Sequence, residues 1–265
     1  MSIIYHKLGQ LEYLCAQSIA VPHCFTTRLG GVSQGHLASM NIGTHREDSP
    51  KNVLENYRIL GRAVGFSPKA LVLTHQTHSD IIRIVGEAER GAGLFAPELT
   101  ECDGLITNTP GVGLVVFTAD CTPILLYDPV TGAVGAVHAG WRGTAAGIGA
   151  KAVEAMVANF GCNPKNICAA IGPNIGQCCF ETDADVPEVM IRALGPDAEP
   201  YICTVENKFY LDLKGLNALW LRKVGITRIE ISGQCTACET HRFWSHRRHG
   251  AARGSQGAII ICKEV

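Results

Sequence analysis

The sequence predicts an α+β fold, a single domain over residues 1–265 in which mixed β-sheets are covered by helices. Short apolar runs typical of strands recur along the chain, and several are apolar throughout, which indicates sheets buried on both faces. Helical patterns do not alternate regularly with these runs, so the sequence does not favour a doubly wound α/β arrangement. No internal repeat or composition shift divides the chain.

Strands are predicted where aliphatic and β-branched residues run together between turn-forming residues. They cover 70–74, 81–85, 113–118, 123–127, 133–137, 166–171, 226–232 and 257–262. Too few residues separate 113–118 from 123–127, and 123–127 from 133–137, for a helical crossover. We therefore expect both pairs to be connected like hairpins.

Helices are predicted in four places. The first begins with Ser49 and Pro50, an N-cap followed by proline at the first helical position, and ends at Gly65. The other three carry apolar residues at helical spacing and cover 144–160, 185–194 and 213–224.

Composition excludes several classes of partner. The net charge is −1 and no long basic stripe is present, which argues against nucleic acid. No apolar run approaches the roughly 20 residues of a membrane span, and the first residues lack a secretory pattern. We expect a cytoplasmic protein with no membrane partner and mostly reduced thiols. Five cysteines beside apolar runs are expected in the core: Cys15, Cys24, Cys168, Cys203 and Cys262.

Cys121 and His138 each stand at the end of an apolar strand-like run, and His78 follows an earlier one. One thiolate and two imidazoles can form an open zinc site with a fourth position left for water. A cysteine beside a histidine can equally act as a thiol nucleophile with its base. His75 has H-x-x-H spacing to His78, but alternate strand residues point to opposite faces, so only one of the two is expected at the site.

The residues around Cys121 and His138 suggest further roles. Asp120 precedes the cysteine and is a candidate proton donor or acceptor. Glycines follow His138, and the predicted helix begins at Gly143, so we expect an anion site at its first N–H groups, near Arg142. Arg28, in a glycine-rich turn, and the pair Arg247 and Arg248, beside aromatic residues, are further candidates for phosphate binding.

A rival zinc site is left open by the spacing of Cys235, Cys238 and His241. The adjacent Cys178 and Cys179 are expected to be core or turn residues, because a disulfide between neighbouring cysteines is strained.

Motifs along almost the whole chain resemble the bacterial YfiH family, also called the laccase-domain, polyphenol oxidase, peptidoglycan editing factor or purine nucleoside phosphorylase family. The most specific are TADCTPILL (118–126) and HAGWRGT (138–144). The others are TTRLGGVS (26–33), MNIG (40–43), THQTHSD (74–80), CDGLIT (102–107), IGPNIGQCCFE (171–181), YLDL (210–213), CT (235–236) and FWSHRR (243–248).

The resemblance implies an α/β/β/α sandwich with a zinc site made of His78, Cys121 and His138. It implies phosphorolysis of adenosine, inosine, guanosine and methylthioadenosine, and hydrolytic deamination of adenosine. Purine nucleosides and phosphate are thus the expected partners. Asn41 and Gln76 lie within the shared motifs and join the arginines as expected substrate or phosphate contacts.

Three positions depart from the family pattern and concern the C-terminal substrate contacts. Gly254 is followed by Ser255, with Arg253 before it, where the family usually has Gly-Arg. His246 and Phe180 each replace a more usual tyrosine.

The residues favour zinc-dependent nucleoside chemistry over the alternatives. Multicopper oxidases use several H-x-H pairs, whereas this chain has 10 histidines and no H-x-H, so copper is expected only as an adventitious or alternative metal supporting oxidase side activity. A metal-free reading makes Cys121 the nucleophile of an amidase that edits peptidoglycan precursors. A binding protein with a closed structural zinc site is a third class.

Overall fold

Two six-stranded sheets pack face to face in the computed structural model, which describes residues 3–263. In spatial order the first sheet contains β1 (Ile3–Leu8), β2 (Leu11–Ala16), β3 (His23–Thr26), β15 (Gln256–Ile261), β7 (Gly113–Thr118) and β4 (Leu71–Leu73). The second sheet contains β14 (Arg228–Ile231), β10 (Cys168–Ile171), β8 (Thr122–Tyr127), β9 (Val134–Ala139), β6 (Gly104–Thr107) and β5 (Ile82–Ile84). A small third sheet contains β11 (Glu181–Thr182), β13 (Lys208–Leu211) and β12 (Ile202–Val205).

Both large sheets are mixed. Strand pairs β4/β7, β5/β6 and β10/β14 are parallel, and their other neighbours are antiparallel. The helices are α1 (Pro50–Val64), α2 (Trp141–Ala145), α3 (Ile148–Phe160), α4 (Asp185–Leu194), α5 (Leu213–Lys223) and α6 (His246–His249). Over residues 3–263, no helix is both long enough and apolar enough to cross a membrane.

Four layers follow from where the apolar side chains go. The facing sheets share one core, to which Phe25 and Leu114 contribute from the first sheet and Leu125 and Ala170 from the second. Helix α1 covers the outer face of the first sheet, and α3 and α5 cover that of the second. The predicted α+β class with mixed sheets under helices is confirmed, and the layers are those of an α/β/β/α sandwich.

One predicted hairpin is wrong. β8 and β9 form the expected antiparallel pair, but β7 and β8 belong to different sheets. Each is apolar on both faces because each lies inside its own sheet, β7 between β15 and β4 and β8 between β10 and β9. The turn between them, from Ala119 to Cys121, carries the chain across the sandwich with Asp120 at a φ of 91°.

The predicted helix over 144–160 is two helices. Gly147 stands between α2 and α3 in the left-handed region, with a φ of 70°. A side chain there would meet the ring of Trp220 at 3.3 Å, so both the backbone angle and the packing favour glycine. The first of the two, α2, begins at Trp141, three residues before the predicted start at Thr144.

Other elements were not predicted. β1, β2, β3, β6 and the small sheet are short or partly polar, and their pairing is set by tertiary contacts rather than by local pattern. Among the cysteines expected in the core, Cys24, Cys168 and Cys262 are buried, but Cys203 is exposed on β12, which forms part of the small outer sheet.

Replacing Met156 by alanine should lower the free energy of unfolding by about 2–5 kcal/mol, because this fully buried side chain of α3 packs in the outer core of the second sheet. The change Val157→Ala on the same helix is a matched control, since Val157 is 38% exposed and should cost only about 0.5 kcal/mol. Urea denaturation of both variants measures the difference, and equal effects would contradict the assignment of this face to the core.

Candidate metal centre and its cavities

Three potential metal ligands converge where the two sheets meet. Cys121 lies in the turn that crosses between the sheets, His138 lies on β9, and His78 follows β4. Their ligand atoms all lie within 4.8 Å of one another, and Cys121 Sγ is 3.8 Å from His78 Nε2. The chain thus forms a possible metal-binding His/Cys/His site.

The buried carboxylate of Asp103 bonds to the ring of His138 and to the backbone of His78. One of its oxygens is 2.7 Å from Nδ1 of His138, so Nε2 of that ring is left to face the cysteine. The same carboxylate accepts backbone N–H bonds from Thr77, His78 and Ser79, and a further bond from the Ser79 hydroxyl. A carboxylate behind a metal-ligating histidine fixes the tautomer and the ring orientation.

These bonds also explain the backbone of His78, whose φ of 61° is unusual for a residue with a side chain. Because three consecutive N–H groups point at one carboxylate, the turn is held in this conformation. The result is that His78 faces the cluster, whereas His75 lies outside it, with its Nδ1 3.8 Å from Glu98.

The three groups shift each other's protonation. Burial alone would raise the pKa of Cys121, but the adjacent His138 and then His78 lower it to about 6. Burial opposes the charge on His138, yet Cys121 and Asp103 raise its pKa to about 9. Burial likewise opposes the ionised form of Asp103, while His138 and Ser79 lower its pKa to about 2. Without metal, the charges therefore favour a thiolate beside an imidazolium.

The cluster has room for an ion. A side chain at Gly140 would lie 2.9 Å from the His78 ring and 3.2 Å from Cys121 Sγ, so the glycine keeps the space beside the ligands open. One thiolate and two imidazoles with an open side match the donor set of catalytic zinc sites.

Two cavities meet at this cluster, and His78, Cys121 and Arg253 line both. The first, of about 210 Å³, has Arg46 and Ser255 in its wall. The second, of about 370 Å³, has apolar and aromatic side chains in its wall. They are Trp141, Ile175, Phe180 and Leu213.

Arg46 and Arg253 give the first cavity its charge. Over residues 3–263 neither forms an ion pair with a carboxylate, and both guanidinium groups donate to the Ser255 hydroxyl, at 3.4 and 3.5 Å. Burial and then the charge of Arg46 lower the pKa of Arg253 to about 10, and burial lowers that of Arg46. Two neighbouring cations without a carboxylate partner favour a bound anion.

The arginines singled out in the sequence lie elsewhere or are already bonded. The Arg28 guanidinium stacks on Trp244 and donates to the carbonyls of Ala38 and Thr240. Arg248 donates to the Ala237 carbonyl. Neither residue lines either cavity.

Arg247 does line the second cavity, but its guanidinium donates to the carbonyls of Cys179 and Glu181. The helix whose start was expected at Gly143 begins at Trp141 instead, so that Gly143 lies inside the five-residue helix α2. Arg142 lines the second cavity, and its guanidinium lies over the Trp141 ring.

The other sequence candidates act through hydrogen bonds. Both oxygens of Asp120 accept bonds, from the hydroxyls of Thr236 and Ser245 and from the Arg247 N–H, so the carboxylate anchors the crossing turn. Gln76 lines the first cavity, while its amide exchanges two bonds with the Phe117 backbone.

Asn41 is fully buried and touches neither cavity. Its amide oxygen accepts the N–H groups of Gly43 and Ser255, and its nitrogen donates to Asp48. It thereby holds the chain segment that carries Arg46 beside the segment that carries Arg253.

Sequence reasoning missed Asp103, Arg46 and Arg253. Asp103 stands in the quoted CDGLIT motif, where an acidic residue that opens an apolar strand was a usable signal. The two arginines are 207 positions apart by their numbers, and no local pattern links them. The rival zinc grouping is also corrected, since Cys235 and Cys238 lie with Cys178 and Cys179 rather than with His241.

Comparisons with known proteins agree with this architecture. A family model described as multi-copper polyphenol oxidoreductase laccase matches residues 22–263. Purine nucleoside phosphorylase of Deinococcus radiodurans is 40% identical over 94% of this chain and 92% of its own length. Purine nucleoside phosphorylase YlmD of Bacillus subtilis is 37% identical over 91% and 88%. The crystal structure of YlmD from Geobacillus stearothermophilus matches with a TM-score of 0.92 at 35% identity, over 99% of this chain and 100% of that one.

The change Asp103→Asn should weaken metal binding by about 10- to 100-fold. The amide has no negative charge behind His138, and its NH₂ group would face N–H or O–H donors that bond to a carboxylate oxygen in the unchanged protein. Competition with a zinc-binding chelator measures the affinity. Asp80→Asn serves as the control, since Asp80 is a surface partner of Lys151. Wild-type affinity in Asp103→Asn would show that the carboxylate does not support the ligands.

Proposed function

Since the chain belongs to the multi-copper polyphenol oxidoreductase laccase family, which includes proteins named YfiH and YlmD, we propose that it is a zinc-dependent purine nucleoside phosphorylase. The resemblance to the YfiH family is thereby confirmed. The proposed substrates are adenosine, inosine, guanosine and methylthioadenosine with phosphate, and the proposed second activity is deamination of adenosine. The names of the phosphorylase relatives support the first reaction.

One observation carries this proposal: the possible metal site stands between a cavity lined by Arg46 and Arg253 and a second cavity in which aromatic side chains lie beside three arginines. A nucleoside and phosphate together need an anion subsite, a reacting centre and a surface for a flat base. The first cavity, the ligand cluster and the second cavity offer these three in that order.

Arg46 and Arg253 are the proposed phosphate ligands. Their guanidinium groups are half-buried, share the Ser255 hydroxyl and have no carboxylate partner among residues 3–263, so an oxyanion can replace repulsion by charge-assisted hydrogen bonds. We assign to them the role that the sequence suggested for Arg28, Arg247 and Arg248.

Trp141 and Phe180 are the proposed contacts for the purine. Aromatic side chains offer stacking surfaces to a base, and Ile175 and Leu213 complete an apolar wall around them. His246 lines the same cavity and accepts a hydrogen bond from Arg253 at 3.4 Å, so it lies between the proposed base and phosphate subsites.

Zinc fits the donor set of His78, Cys121 and His138, and when bound it supplies a Lewis acid and a water that ionises near neutral pH. The chain's own residues do the rest. Asp103 fixes the His138 tautomer, and the arginines align a phosphate oxygen with the anomeric carbon while the bond from that carbon to the base breaks. We assign Asp120 a positioning role, since three hydrogen bonds hold its carboxylate to Thr236, Ser245 and the backbone of Arg247.

A thiol amidase is the second candidate, and it is favoured by the arrangement of Cys121 beside His138, whose ring is hydrogen-bonded to Asp103. In metal-free protein the Cys121 pKa of about 6 would leave a thiolate at neutral pH, beside a His138 imidazolium that is oriented by a buried carboxylate. Copper in the same three-ligand site would be an adventitious or alternative metal, and oxidase chemistry a side activity.

Zinc-loaded protein should convert adenosine and phosphate to adenine and ribose 1-phosphate, and adenosine without phosphate to inosine. His138→Ala should abolish both reactions, because both depend on the same centre, while His75→Ala should retain the bound metal. Chromatography of the products and metal analysis provide the measurements. Release of an amino acid from a muramyl peptide, with neither adenine nor inosine formed, would replace this proposal by the amidase.

Arg46→Gln and Arg253→Gln should each raise the KM for phosphate by about 10- to 100-fold, the effect of losing a charge-assisted hydrogen bond. Deamination should change much less, because it uses no phosphate. Arg62→Gln, on the exposed face of α1, is the control. An unchanged phosphate KM in both variants would rule out the first cavity as the anion subsite.

A further inference from the structure

We propose that Cys178, Cys179, Cys235 and Cys238 form a second metal site, which holds one structural zinc ion through four thiolates. The site shares no residue with the His78, Cys121 and His138 cluster. It does not rest on the proposed reaction, since the geometry of the four thiols stands whether or not the protein acts on nucleosides.

The sulfur atoms have the spacing of a tetrahedral zinc site. All four lie within 4.8 Å of one another. The distance from the Cys238 sulfur is 3.6 Å to Cys178 and 3.4 Å to Cys179, and the Cys178 and Cys179 sulfurs are 3.8 Å apart. With Zn–S bonds of about 2.3 Å, a regular tetrahedron places its sulfurs about 3.8 Å apart, so little movement is needed to close the site.

The backbone brings two distant segments together at this point. Asn174 pairs with Cys235 in an isolated β-bridge, and the Thr236 N–H donates to the Asn174 carbonyl. The Gly176 N–H donates to the Cys235 sulfur at 3.1 Å, which is a bond that stabilises a thiolate. A side chain on Gly176 would stand 3.3 Å from the Cys178 sulfur and 3.4 Å from that of Cys235.

Burial does not account for the cluster. Cys235 is buried in a hydrophobic cluster against which Cys179 packs, but Cys178 and Cys238 are exposed and do not behave as small apolar core side chains. Positive charge lies beside them as a thiolate site requires, since Arg248 Nη2 is 3.8 Å from the Cys179 sulfur. Lys214 donates to the carbonyl of Gln234, the residue before Cys235.

The ion would brace the wall of the aromatic cavity. Phe180 follows Cys179 directly, and the Cys179 carbonyl accepts a bond from Arg247. On the other segment, Thr236 donates to Asp120, and the Ala237 carbonyl accepts from Arg248. One ion at the four thiols would therefore fix both sides of the cavity relative to the turn that carries Cys121.

The test uses the full chain with the change Cys121→Ala, which removes the thiolate of the first site. After zinc loading and desalting, this variant should retain one zinc per chain, against two in the unchanged protein. Its X-ray absorption spectrum should show only sulfur neighbours near 2.3 Å, without the nitrogen shell near 2.0–2.1 Å that histidine gives. Loss of all zinc, or a spectrum with nitrogen neighbours, would overturn the proposal.

Cys238→Ser and Cys178→Ser, each added to Cys121→Ala, should remove the remaining zinc and the rise in melting temperature that zinc produces. Both replaced side chains are exposed, so the fold should tolerate the change, and Cys203→Ser is the matched control because Cys203 is also exposed but outside the cluster. Retained zinc in the two serine variants would contradict the assignment. A thiol count in denatured protein that reveals a disulfide among the four clustered cysteines would also contradict the assignment.

These outcomes are separate from those of the proposed reaction. Cys238→Ser in the otherwise unchanged chain should keep one zinc at the first site, with its nitrogen neighbours. Absence of nucleoside activity would leave the second site untouched, and absence of the second ion would leave the first cluster intact.

Discussion

The carboxylate of Asp103 is the constraint on which the site depends. A fully buried charge is unfavourable unless it is paired and hydrogen-bonded, and this one faces His138, three backbone N–H groups and a hydroxyl. Its bonds reach β9 on one side and the turn after β4 on the other. The carboxylate thus fixes a histidine of the second sheet through its ring and a histidine of the β4–β5 connection through its backbone.

A second buried carboxylate, that of Asp120, holds in place the turn that carries the Cys121 thiol. It occupies the left-handed position of the crossing turn, directly before Cys121, and binds Thr236, Ser245 and the backbone of Arg247. The C-terminal segments are thereby tied to the point at which the chain changes sheets. The position of this turn also shapes both cavities, because residues that line them lie beside Asp120 and in the segment after Ser245.

Local sequence pattern was sufficient for the fold class and for pairing Cys121 with His138, because each stands at the end of a readable strand. The choice of His78 over His75 came from the family resemblance. Local pattern failed where partners are distant. The apolar runs of β7 and β8 look like a hairpin, yet only tertiary packing decides that they enter different sheets. Arg46 and Arg253, and the two cysteine pairs, are brought together by loops whose course no periodicity specifies. Conversely, the local pattern indicated Arg28 as a phosphate contact, but its guanidinium stacks on Trp244 and donates to backbone carbonyls.

The position of the first cluster has a mechanical consequence. His78 lies in the connection from β4 of the first sheet to β5 of the second, Cys121 lies in the connection from β7 to β8, and His138 belongs to β9 of the second sheet. An ion held by all three would join the two connections between the sheets to β9, so that neither connection could move away from the second sheet without breaking a coordination bond. Occupancy of the centre and cohesion of the two layers would then rise and fall together.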